Sequence, residues 1–144
     1  MKNKLNIEIV KWIDEYELLT MIREKVFIGE QKVTSQLEWD GMDEEAIHFL
    51  AFKNEKAIGC ARAFVIENFM QLGRMAVLKE YRGEGIGSAL IKKAIATAKL
   101  NQLSAIYISA QCHAIDFYKK FGFEVTSDIY LDGEIQHRDM KLEF

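Results

Sequence analysis

The chain predicts a mixed α/β (α+β) fold, a mainly antiparallel sheet of about six to seven strands with helices on both faces. Short alternating or apolar runs of strand type recur on either side of two segments with helical repeats. Their order is strand, helix, hairpin strands, then strand, helix, strand, helix and closing strands. The tight turn Asn54-Glu55-Lys56 makes its two flanking strands antiparallel neighbours. At 144 residues the chain fits one domain, residues 1–144, around a single core.

Residues 5–13 form the first strand, with Leu5, Ile7 and Ile9 on one face. Asp14 then reads as a helix N-cap, and Glu17 completes a capping-box pattern. The helix carries Leu18, Met21, Ile22, Lys25 and Val26 at helical spacing and ends near Ile28-Gly29. Periodicity is lost between residues 30 and 45, which reads as an irregular or short-helical excursion lying over a site. Strands follow at residues 47–53 and 57–66, then at 69–78 after the Glu67-Asn68 turn. A long helix spans residues 86–100, with Ile86, Leu90, Ala94 and Ala98, flanked by Ala89 and Ile95, as its buried stripe. Residues 105–110 are short and apolar, as suits a central strand buried on both faces. Ala114, Phe117, Tyr118 and Phe121 then recur at helical spacing, and Gly122 stands where a left-handed cap belongs. Residues 123–125 and 136–142 close the sheet around a turn at Asp132-Gly133.

Composition narrows the function. Hydrophobic residues make up 49% and charged ones 28%, with neither a membrane-length apolar run nor a signal-like start, which predicts a cytoplasmic protein that no membrane holds. A net charge of −3 argues against nucleic acid as a partner. Cys60 and Cys112 have the spacing of neither a disulfide framework nor a zinc site, and His48, His113 and His137 show no metal spacing, so no metal is expected. The charges segregate: six acids against Lys32 in residues 30–45, and five bases against Glu80 and Glu84 in residues 72–93. The basic segment suits an anion and the acidic one a cation, although both also fit an ordinary solvated surface.

The basic segment holds the turn Arg82-Gly83-Glu84-Gly85-Ile86-Gly87 between a strand and a helix. Glycines there leave backbone N–H groups bare at the positive end of the helix dipole, which is how main chain binds phosphate. Two nucleotide readings fail on spacing. A dinucleotide fingerprint needs its third glycine where Ser88 stands, and a Walker loop needs a lysine at the helix start. What matches is R-x-x-G-x-G after a strand of the form G-R-x-A-V, which resembles the acetyl-CoA motif of the GNAT N-acetyltransferase superfamily. A second motif, A-x-x-F-Y-x-x-x-G-F from Ala114 to Phe123, follows in that superfamily's order and spacing. The pattern F-x-x-E-Q-x-V from Phe27 to Val33, then Glu38, Asp40 and His48, is similar to the YjcF/ElaA-like branch. The ending at His137-Arg138-Asp139-Met140 departs from that branch by one inserted residue and a glutamine in place of proline.

The resemblance implies acetyl-CoA as cofactor and a sheet splayed between the strand ending near Val77 and the one beginning near Ala105. The backbone of Arg82, Gly83, Glu84, Gly85, Ile86, Gly87 and Ser88 would cradle the pyrophosphate, with Arg82 adding charge. Met75, Ala76 and Val77 would bond the pantetheine arm as an added strand does, with Ala114 and Phe117 beside it. Tyr118 would be the acid that protonates the leaving thiolate, although a tyrosine at this spacing also fits a buried core aromatic. Glu30 is the first candidate for the base, with Glu38 and Asp40 next. Gln31, Glu38, Asp40, Arg74, His137 and Glu30 itself would face the acceptor, and the acidic segment favours a cationic one. The implied activity is acetyl transfer to a primary amine of a small molecule or a protein by direct attack in a ternary complex. The alternative is a catalytically silent CoA-binding sensor. The oligomeric state is open, a homodimer included.

Overall fold

The computed structural model describes residues 4–144. Its strands are β1 (Leu5–Val10), β2 (Ile47–Lys53), β3 (Lys56–Ile66), β4 (Phe69–Val77), β5 (Ala105–Gln111), β6 (Glu124–Val125), β7 (Tyr130–Asp132) and β8 (Ile135–Glu143). The α-helices are α1 (Trp12–Arg23), α2 (Ser35–Glu38), α3 (Ile86–Leu100) and α4 (Ile115–Lys119), and a π-helical turn, Glu24–Glu30, extends α1. All strands join one sheet in the order β1-β2-β3-β4-β5-β8-β6, with β7 paired to β8. Every pairing is antiparallel except β4 with β5, where α3 forms the crossover that a parallel pair requires.

The sheet opens in its middle. β4 pairs with β5 only from Phe69↔Ala105 to Leu72↔Ile108, although both strands run on. At that point β4 bulges against β3: Arg62 pairs with Gly73 and Cys60 with Ala76, so Arg74 and Met75 together oppose Ala61. Arg74 has φ 48, a left-handed conformation that a bulge needs and a non-glycine residue resists. The extra residue turns β4 away from β5 and leaves its edge beyond Leu72 without a strand partner.

The two faces carry separate cores. α3 lies over one, where Leu90, Ile91, Ala94 and Ala98 pack on Phe49, Ala63, Met70 and Ile106. α1 lies over the other, with Leu19, Ile22, Val26 and Phe27 on Leu50, Cys60 and Ala76. Gly59 sets the height of α3, since a Cβ there would stand 3.1 Å from the Ala76 carbonyl oxygen and 3.2 Å from Ile86 Cγ2.

Several local expectations shift. β1 stops at Val10 and α1 starts at Trp12 with Lys11 as N-cap, so Asp14 lies inside the helix and caps nothing. Trp12 packs on His48, 5.4 Å between centroids, which draws the first turn in and leaves a kink at Glu15. The buried stripe of α1 contains Leu19 and Arg23 and leaves Lys25 exposed, because the helix passes into the π-helical turn after Arg23; the helical run ends at Glu30, beside the expected Ile28-Gly29. β5 is central and fully buried on one face, at Ile106, Ile108 and Ala110, while on the other Ala105 is buried, Tyr107 half-buried and Ser109 open. α1 reaches over β3 and β4 and does not cover β5. β7 is an added strand, too short to show a pattern, and its hairpin turns on Gly133 and Glu134, φ 61 and 65.

Candidate active site

A cleft of about 1280 Å³ runs from the turn before α3, along β4, to Tyr118 and on to Asp132 and His137. Every predicted site residue lines it except Glu30 and Glu84.

The glycines divide the work at the α3 end. Gly83 and Gly85 have φ 81 and 84, and a Cβ on either would meet nothing within 4 Å, so backbone conformation demands glycine and the space above stays clear. Gly87 is helical, and a Cβ there would come within 3.3 Å of Phe117 Cζ, so its absence lets α4 pack against the first turn of α3. The first helical bond joins the Ala89 N–H to the Gly85 carbonyl at 3.0 Å. The N–H groups of Ile86, Gly87 and Ser88 therefore have no helical acceptor, at the positive end of a fifteen-residue helix. Arg82 donates from Nε to the Val77 carbonyl at 2.9 Å and from Nη1 and Nη2 to Glu30 at 3.0 and 2.6 Å. Glu30 thus answers the arginine of the anion turn from outside the cleft. Glu84 pairs with Lys53.

Across the splay, the Tyr118 hydroxyl donates to Met75 Sδ at 3.6 Å, a weak contact that leaves it available. Burial pushes this phenol up to about 12, so it carries its proton at neutral pH. Phe117 and Phe123 hold the ring edge-on at 5.1 and 5.9 Å.

Three acids of the acidic segment, Glu38, Asp40 and Asp43, are already paired with arginines, while Glu44 and Glu45 stay exposed. Glu38, almost wholly buried, accepts from Arg23 Nε at 2.7 Å and Arg74 Nε at 3.1 Å. Asp43 accepts from Arg23 Nη1 at 2.6 Å and Arg62 Nη1 at 3.0 Å. Asp40 takes Arg62 Nη1 and Nη2 at 3.0 and 2.8 Å and Arg74 Nη2 at 3.4 Å. The hydrogen bond from Arg62, working against burial, holds the Asp40 carboxyl down at about 2. Three carboxylates therefore meet three guanidinium groups, and the surplus of negative charge read from the segment is absent there. Arg23 sits between Trp12 and Trp39, 5.8 and 4.9 Å from the ring centroids. His48 Nε2 stands 2.8 Å from the Asp43 carbonyl oxygen, and burial lowers its pKa. The sequence reading missed Arg23, Asp43 and Arg62. A signal existed for Arg23, which stands one residue after Ile22 and three before Val26, inside the apolar repeat Leu19, Ile22, Val26.

At the open end, Gln31 and Gln111 exchange amide hydrogen bonds of 3.1 and 2.8 Å, tying the end of the π-helical turn to the end of β5. His113 Nε2 lies 2.6 Å from Gln111 Oε1. His137, buried on β8, has Nδ1 2.7 Å from the Ile135 carbonyl oxygen and stacks on Tyr130 at 6.0 Å.

The bulged, splayed sheet with a glycine turn at one end of the opening is the fold that the sequence resemblance implies, and comparison with known proteins agrees. The profile of the acetyltransferase (GNAT) family matches residues 11–123, and the chain belongs to this family. It is 34% identical over 120 residues to the uncharacterized N-acetyltransferase YjcF of Bacillus subtilis (strain 168), covering 83% of this chain and 86% of that protein. Among solved structures, Escherichia coli ElaA is 27% identical with a TM-score of 0.86, covering 97% of this chain and 100% of that one. An acyl-CoA N-acyltransferase from Pseudomonas aeruginosa is 28% identical with a TM-score of 0.86, covering 96% and 99%. Among the described residues no helix is long and apolar enough to cross a membrane.

Proposed function

We propose that this protein transfers an acetyl group from acetyl-CoA to a primary amine of a small-molecule or protein acceptor, by direct attack with both substrates in one cleft. The observation that carries this reading is the alignment along that cleft of the open α3 turn, the unpaired edge of β4 and the protonated Tyr118 hydroxyl. The N–H groups of Ile86, Gly87 and Ser88 would hold the pyrophosphate, and the β4 edge at Met75, Ala76 and Val77 the pantetheine amides. The absence of any Cβ neighbour at Gly83 and Gly85 fits such a ligand. The acyl-CoA relative from Pseudomonas aeruginosa supports the donor class.

In the chemical step the amine nitrogen bonds to the acyl carbon and the carbon–sulfur bond breaks. Tyr118 gives its proton to the departing thiolate. Arg82 turns from Glu30 to the anion, or holds both. Glu38 and Asp40 position Arg74 at the acceptor side rather than meeting the acceptor as free charges. One sheet that takes in every strand supports reading residues 1–144 as a single acyltransferase domain.

The test is thiol release from acetyl-CoA against a panel of primary amines. Tyr118→Phe should lower kcat about 100-fold or more while calorimetric CoA affinity stays within about twofold. CoA binding with no acceptor-dependent thiol release would replace the enzyme with a CoA-binding sensor.

A further inference from the structure

We propose that His137, through Nε2, is the base that takes the proton from the acceptor ammonium. The inference rests on the acetyl-transfer reading above and adds the group that reading lacks.

A carbonyl oxygen only accepts, so the contact with Ile135 at 2.7 Å places the ring hydrogen of neutral His137 on Nδ1. Nε2 then carries the lone pair. It has no hydrogen-bond partner among the described residues, and it is not sealed off, because the ring lines the cleft. His137 is 8% exposed and held on two sides, by the Ile135 carbonyl and by Tyr130 stacked at 23°. A fixed, buried imidazole with a bare acceptor facing a cleft is built to receive an N–H.

The carboxylate candidates are committed or chemically weaker, and His113, the other imidazole of the cleft, is exposed where His137 is buried and fixed. Glu30 is on Arg82 and outside the cleft, and Glu38 and Asp40 are on arginines. Glu45 and Asp132 also line the cleft, but they are exposed carboxylates, and a carboxylate in water is a poor proton acceptor from an ammonium near neutral pH. Titratable neighbours of His137 are Tyr130 on β7, whose hydroxyl donates to Asp139 at 2.6 Å, Asp132 at the end of β7, and His113 beyond its sheet partner Gln111.

The protons balance. The ammonium proton moves to Nε2, giving an imidazolium whose Nδ1–H stays on the Ile135 carbonyl. The freed amine attacks the acyl carbon, and as the carbon–sulfur bond breaks its second proton leaves the nitrogen for water while Tyr118 protonates the thiolate. The phenolate then takes a proton back from water and the imidazolium gives one up, so one proton is released per turnover.

His137→Gln should lower kcat at pH 7 by about 100-fold, change CoA affinity by less than about twofold, and abolish the acid limb of the kcat–pH profile. Its activity should recover towards wild type as pH rises and free amine accumulates. If His137→Gln unfolds, the wild type decides: the NMR titration of the His137 ring with acceptor bound must follow the acid limb of kcat. An active wild type whose acid limb survives in His137→Gln, or departs from the ring titration, overturns the base while leaving acetyl transfer standing. A wild type that releases no thiol with any amine overturns both.

Discussion

Burial separates two thiols of the same chain at the level of single residues. Cys60 is enclosed between α1 and the sheet, and desolvation pushes its thiol up to about 12, whereas Cys112 is half-buried at the start of the turn before α4. A thiol reacts as the thiolate, so Ellman's reagent at pH 8 should label Cys112 in the native protein and reach Cys60 only on unfolding. Equal rates at both would contradict this. Asp40 makes the complementary case. Its carboxyl is held down at about 2 from an ordinary 3.8, chiefly by the hydrogen bond from Arg62. A folded pKa below the unfolded one adds stability above the unfolded value and loses it as pH falls through the folded one. Asp40 is exposed, so screening reduces the pair, and it should contribute about 1 kcal/mol above pH 4, fading towards pH 2; Asp40→Asn should flatten that part of a urea-melt series against pH. An unchanged acid slope in the variant would show that the pair does not hold the segment.

Among the elements, α1 and the short α2 are joined through charge rather than apolar contact. Glu38 at the end of α2 bridges the buried Arg23 of α1 and the half-buried Arg74 of the bulge. Removing one partner of a buried pair strands the others, so Glu38→Gln should cost about 3 kcal/mol in denaturant melts and raise the acceptor KM as Arg74 shifts. A variant as stable as wild type would mean that water replaces the carboxylate. The α3–α4 contact gives a second expectation. Gly87→Val pushes on Phe117, where even a Cβ would lie at 3.3 Å, and should weaken CoA binding about tenfold by calorimetry. Legibility differed between these elements. α3 runs Ile86–Leu100 as its pattern predicts, because the glycine turn punctuates its start and its stripe faces one core. α1 is displaced because Trp12 and Arg23 answer to partners far along the chain, which no local capping rule contains.

For the whole molecule, function follows from how the sheet opens. Binding of a ligand in the cleft stabilises only the folded state, so acetyl-CoA at about 100 times its Kd should add about 2.7 kcal/mol and raise Tm by several degrees. ATP and NAD at equal concentration should shift nothing, and a comparable shift with either would reopen the nucleotide reading. The sequence by itself determined the order of strands and helices, the glycine turn and the second motif with Tyr118, because these depend on backbone conformation and on spacing within one or two turns. Only the tertiary structure decided the rest. It left β5 open at Ser109, set Glu30 on Arg82 across a separation of 52 residues, and matched Glu38 and Asp40 to arginines up to 36 residues away. It also gave His137 its orientation. Charge pairing and ring orientation depend on which surfaces meet after the chain has folded, and a linear pattern records which groups exist without recording which of them are satisfied.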